Sequence, residues 1–128
     1  MNYGYTKKIA LDFSEAVEKT TQELSKEGFG VLTKIDVKDT LKKKLNIKFD
    51  NYLILGACNP PFAYKALQAE HEIGLLLPCN VLVYEKNNEI FVSSILPTVA
   101  MSAVENIDLQ NLAQEIEDKL KTVINNIY

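Results

Sequence analysis

Two neighbouring runs in the C-terminal half constrain the fold more than anything else in this chain. Cys79 to Lys86 and Glu89 to Leu96 read as strands, and Asn87-Asn88 between them suits a two-residue hairpin turn. Val81, Val83, Ile90, Val92 and Leu96 are apolar on one parity, while Leu82, Tyr84, Phe91 and Ile95 are apolar on the other. An antiparallel sheet packed on one side only should be polar on its second side. A hairpin apolar on both faces therefore calls for two covering layers. Helices supply the first, and the second falls to another subunit or to the middle helix, Pro60 to Glu70. We expect a homodimer.

The helices that could cover the first face are legible from their periodicity. After a first strand from Tyr3 to Leu11, whose Lys7 interrupts the apolar parity as on an edge strand, Asp12 and Glu15 form a capping-box pair. Phe13, Ala16, Val17, Thr20 and Leu24 then share a helical face, with Glu18, Lys19, Glu23 and Lys26 opposite, and Gly28 is a ready stop. Leu109, Leu112, Ala113, Ile116, Leu120, Val123, Ile124 and Ile127 form a second, longer stripe, for which Asp108 is the expected cap.

Between these helices, Phe29, Val31, Thr33, Ile35 and Val37 alternate as a half-buried strand. Asp36 to Leu45 suits a short lysine-rich helix, and Tyr52 to Cys58 is apolar on both parities, as a central strand should be. Asn59-Pro60-Pro61 opens another helix, since proline is tolerated where helical amides lack a partner. Pro97 ends the last strand, and Val99 to Val104 suits a short helical turn. No linker, repeat or low-complexity tract divides the 128 residues. The expectation is one α+β domain: a five-stranded, mainly antiparallel sheet in β-α-β(4)-α order. Two long amphipathic helices pack on one face, with short extra helices in the connections.

Charge narrows the partners. Seventeen acidic residues against fourteen basic ones leave a net charge of -3, and every basic residue is lysine. Without arginine the chain lacks the fork donor favoured for phosphate and guanine, so nucleic acid is not an expected partner. The longest apolar runs fall far short of the roughly 18–20 residues a membrane span requires. The N-terminal stretch reads as a strand rather than a signal peptide, and the expected setting is cytoplasmic. Two cysteines are too few for a secreted disulfide framework and are expected as free thiols.

Residues 57–85 read ACNPPFAYKALQAEHEIGLLLPCNVLVYE. The runs ACNP, AYKALQAE and IGLLLPCNV, in this order and spacing, closely resemble the signature of domain-of-unknown-function family 302. The resemblance is strong over these 29 residues, and the order of the flanking helices and strands agrees over nearly the whole chain. It implies an α+β fold of the TATA-binding-protein-like type and brings no activity with it. His71 lies between the matching runs, outside the signature.

The chemistry available in this segment centres on Cys58 and Cys79, each followed by an asparagine, Asn59 and Asn80. Antiparallel pairing would bring the end of one strand and the start of the next together, so both thiols should share one rim of the sheet. Four readings remain open. The thiols can be ordinary core residues, with the asparagines serving as cap and turn. They can be two ligands of a metal site completed by His71 or Glu70, although no standard zinc spacing is present. Either can be a redox or nucleophilic thiol, with Cys58 just before a helix N-terminus that Pro60 and Pro61 strip of amides. Or they can border a small-molecule pocket walled by Tyr64, Leu67 and Met101.

Elsewhere the signals are bland. Lys42-Lys43-Lys44 reads as a solvated face, and the pairs Glu115/Glu117 and Glu70/Glu72 read as solubilising charge. No cofactor is indicated. The sequence favours a ligand-binding or sensing module with a site at Cys58, Asn59, Cys79, Asn80, Tyr64 and Met101. A thiol-dependent redox protein or enzyme, and a homodimeric interaction module without a small ligand, are the rivals.

Overall fold

A computed structural model describes residues 2–128. The chain runs β1 (Gly4–Ile9), α1 (Phe13–Lys26), β2 (Gly30–Asp36), α2 (Val37–Leu45), β3 (Tyr52–Cys58) and α3 (Pro60–Ala69). A 3-10 segment (His71–Leu76) follows, then β4 (Cys79–Lys86), β5 (Glu89–Ile95), α4 (Pro97–Ala100) and α5 (Ile107–Asn125). The five strands form one wholly antiparallel sheet in the order β1-β5-β4-β3-β2, which makes β1 and β2 the edges. Asn87 and Asn88 turn the β4–β5 hairpin with φ of 54° and 62°, the left-handed pair that a type I′ turn demands.

The helix ends show why these residues stop and start where they do. Asp12 and Glu15 cap α1 reciprocally. At its far end Gly28 takes φ 84°, the Gly28 amide donates to Ser25 O, and the Phe29 amide donates to Leu24 O at 2.9 Å. This is a Schellman stop, with the buried Phe29 and Leu24 as its apolar pair. The cap of α5 is Asn106, whose side chain accepts from the Leu109 amide, rather than Asp108, which sits in the first turn. Asn106 prevails because its amide group also donates to Ala69 O at 2.7 Å, tying α5 to the end of α3.

Helices α1 and α5 pack on each other and on the sheet, and α3 packs on α5. The layer between them and the sheet is the core, with Leu24, Leu55, Val81, Val83, Val92, Leu109, Leu120 and Ile124 at 0–1 % exposure. Two acidic residues assigned to solvent in the sequence reading are in fact buried. Glu23 lies on the inner side of α1 beside Leu24 at 5 % exposure, with Oε2 2.8 Å from Lys26 Nζ. That approach is not aligned as a hydrogen bond, but Oε1 accepts from the same ammonium at 3.3 Å. Glu117 of α5 is also 5 % exposed, and its Oε1 accepts from the Thr98 amide at 3.0 Å and the Thr98 hydroxyl at 2.6 Å. It satisfies the first turn of α4, which has no cap of its own.

β2 departs from simple alternation. Val31 pairs with Ala57, but Thr33 pairs with Gly56, so Leu32 is an extra residue bulged out of the ladder. The bulge reverses parity: Phe29 and Val31 turn to the helical side, whereas Thr33 and Ile35 lie on the opposite face and are exposed. That opposite face carries Tyr52, Ile54, Leu82, Tyr84, Phe91 and Ile95, all only half-buried. Phe49, Tyr52, Tyr84 and Phe91 form an aromatic row across it, with successive ring centroids 6.1, 5.4 and 5.3 Å apart. The middle helix does not cover it, because α3 belongs to the helical layer with α5.

Candidate functional site

Cys58 closes β3 and Cys79 opens β4, and register places Cys79 opposite Ala57, one residue from Cys58. On strand parity the two side chains would diverge. They nevertheless wall the same cavity, because β3 ends at Cys58 and the chain turns at once into α3 across the rim. This cavity, of about 280 Å³, lies where β2 begins, β3 ends and β4 begins. Phe29 and Leu32 line it from β2 and its approach, and Phe62, Ala63 and Leu67 from α3. Gly74, Leu77 and Pro78 close the remaining side.

Asn59 is the one lining residue with a polar group other than the thiols, and that group is already committed. Its Oδ1 accepts from the Phe62 amide at 3.2 Å, capping α3, and its Nδ2 donates to Glu27 O at 3.3 Å. The Ala63 amide donates to Asn59 O, and Pro60 and Pro61 have no amide to offer. At the start of α3, then, the Phe62 and Ala63 amides are taken and the two prolines have none, so the helix backbone there offers little to an anion. Cys79 is 5 % exposed, and burial, reinforced by the neighbouring Cys58, pushes its thiol up to about 11. It is a neutral thiol at physiological pH, which is the reverse of an activated nucleophile. Cys58 is half-buried, and both cysteines are free.

A second cavity, of about 290 Å³, backs onto the first through a shared wall of Leu77, Pro78 and Cys79. Asn80 and the buried Met101 line this second space together with Leu75, Leu76 and Ile95. The sequence-derived set is thus divided. Cys58, Asn59 and Cys79 meet at the first cavity, along with Leu67, while Asn80 and Met101 stand on the far side of the wall. Tyr64 borders neither and is 65 % exposed, since Phe62, Ala63, Ala66 and Leu67 occupy the inner side of α3.

The metal reading loses its third ligand. His71 is exposed on the 3-10 segment and does not line the cavity, and Glu70 Oε1 accepts from Asn106 Nδ2 at 3.3 Å. Among the described residues no three histidine, cysteine or acidic side chains converge as metal ligands would. Leu32 and Phe29 were not anticipated as wall residues. Only the β2 bulge, which alternation hides, turns Leu32 out of the ladder beside them. Among the described residues, no helix is long and apolar enough to cross a membrane.

No curated protein matches the chain. Among solved structures it is similar to the one titled "Crystal structure of uncharacterized conserved protein DUF302 from Bacillus stearothermophilus", at 28% identity and a TM-score of 0.94, with 100% of each chain covered. The sequence model of the family described as "Domain of unknown function DUF302" matches residues 5–127. The chain belongs to that family.

Proposed function

We propose that the protein is a binding module that holds a small apolar ligand in the cavity between Cys58 and Cys79. One observation carries this reading: the cavity has room, and apart from the two thiols its only polar side chain, Asn59, is already engaged in capping α3. Its volume of about 280 Å³ exceeds the roughly 150 Å³ that suffices for benzene in an apolar protein cavity. Its walls are aliphatic and aromatic side chains plus two thiols, and the single amide among them is spent on Phe62 and Glu27. Such a lining selects for apolar surface and against charge. The thiol-enzyme reading draws less support, because the more buried thiol is held in its neutral form and the first amides of α3 are already taken.

The test uses toluene and 1-hexanol as probes. Saturable binding should raise the thermal midpoint. It should also slow alkylation of the half-buried Cys58, which lines the cavity. Ala63→Leu, which fills the space from α3, should abolish both effects while leaving the fold intact. Absence of any shift or protection with either probe would refute the reading.

A further inference from the structure

The sheet face opposite α1, α3 and α5 carries a continuous set of apolar side chains, Tyr52, Ile54, Leu82, Tyr84, Phe91 and Ile95, that stay only half-buried in the single chain. We infer that it is the interface for a second copy of this chain, packed sheet against sheet about a two-fold axis. This goes beyond the cavity reading and rests on a different surface.

Charge distribution is the first argument. Between the row Tyr52–Tyr84–Phe91 and the row Gly56–Asn80–Ile95, no face position of β3, β4 or β5 carries a charge. On the flanking strands the corresponding positions are Gly4, Thr6 and Lys8 of β1 and Thr33 and Ile35 of β2, so Lys8 at the edge is the one charge among them. Charged groups gather at one end of the face, where Lys8 pairs with Glu89 at 3.3 Å and Lys86 stands opposite Glu89 in the ladder. A charged centre would repel its own copy, but here the centre is uncharged and the end of the face keeps a surplus of only one lysine, Lys8 and Lys86 against Glu89. Depletion of charge with enrichment of aromatics is the composition of interface cores.

Area is the second argument. Five strands about 4.8 Å apart and six residues long at about 3.3 Å each give a flat footprint of about 480 Å². Side-chain relief, Phe49 at one end and Leu75 and Leu76 at the other extend it toward the roughly 600–1,000 Å² per partner of a standard interface. The face thus comes near the lower end of an ordinary interface. Stacking two copies also completes the layering: helices, sheet, sheet, helices, with sheets about 10 Å apart. It gives the apolar second parity of the β4–β5 hairpin a place to be buried.

Sedimentation of the unaltered protein across a concentration series is the first measurement, with a dimer expected at micromolar concentration. Leu82→Lys and, separately, Ile54→Lys place a charge at the centre of the face, where each is half-buried. Each should raise the dissociation constant by about 30-fold or more, the loss of a central anchor, with far-UV circular dichroism unchanged. Lys65→Glu on the helical side should leave association intact. Hydroxyl-radical footprinting needs no variant: Tyr52, Tyr84 and Phe91 should gain protection as concentration rises, and the exposed Tyr64 should not. A monomer at every concentration would overturn the inference and leave the face to some other partner. A dimer that protects Tyr64 instead, or that survives both charged variants in folded form, would overturn it as well.

Discussion

Cys79 shows how one buried atom gives the molecule a pH-dependent stability. Its ordinary value is 9.0, and burial first, then Cys58, holds it up to about 11 in the folded chain. Between those values the unfolded chain releases the proton while the folded chain keeps it. The folded state then binds more protons, so stability falls as pH rises through the window and is fully present below about 9. A shift of this size corresponds to roughly 2–3 kcal/mol. Urea unfolding of the native chain and Cys79→Ala at pH 8, 9, 10 and 11 isolates it. The native chain should lose stability over this range more steeply than the variant, and parallel curves would rule the assignment out. The same burial explains why the sequence alone could not choose between a reactive thiol and a packed one: Cys58 and Cys79 look alike in the chain, and only their exposures differ.

At the scale of elements, the pairing of β2 with β3 depends on one missing side chain. A Cβ on Gly56 would collide with the Thr33 hydroxyl and reach Pro78 Cγ at 2.9 Å. Thr33 lies there because the bulge at Leu32 shifts register by one residue. Gly56→Ala should therefore cost about 1–3 kcal/mol, as overpacking does. Combined with Thr33→Ala, which clears the nearest obstacle, it should cost measurably less than the sum of the single changes. Chemical denaturation of the three variants checks this; strict additivity would show that the clash is relieved elsewhere. The hairpin, the capping of α1 and α3 and the stripe of α5 were legible in advance, because each depends on residues within one or two turns of chain. The bulge was not, since it depends on which partner residue β2 meets. Glu117 was misassigned for the same reason: the Thr98 amide and hydroxyl that donate to its carboxylate, and so make its burial tolerable, lie 19 residues away.

For the whole molecule, the helical layer closes only one side of the sheet, and the other side presents the Phe49–Tyr52–Tyr84–Phe91 row to solvent in the single chain. Association through that face would couple stability to concentration, since anything that binds only the folded state stabilises it by mass action. The thermal midpoint should rise with protein concentration in the native chain and become flat in Leu82→Lys. A native midpoint independent of concentration would count against a dimer. The cavity and the open face meet at Pro78, which lines both cavities and lies against Gly56.

By itself the sequence determined the α+β class, the antiparallel hairpin, the two long helices and the rim on which both cysteines fall. These follow from period, capping and turn chemistry, all local, and from the family signature in residues 57–85. Tertiary structure alone decided which thiol is sealed from water, that Asn80 and Met101 lie behind the Leu77–Cys79 wall, and that α3 joins the helical layer instead of covering the second face. Those outcomes depend on which side of the sheet a helix takes after its strand ends. Residues distant in sequence settle that choice by competing for the same buried area, and no periodicity within the segment records the result.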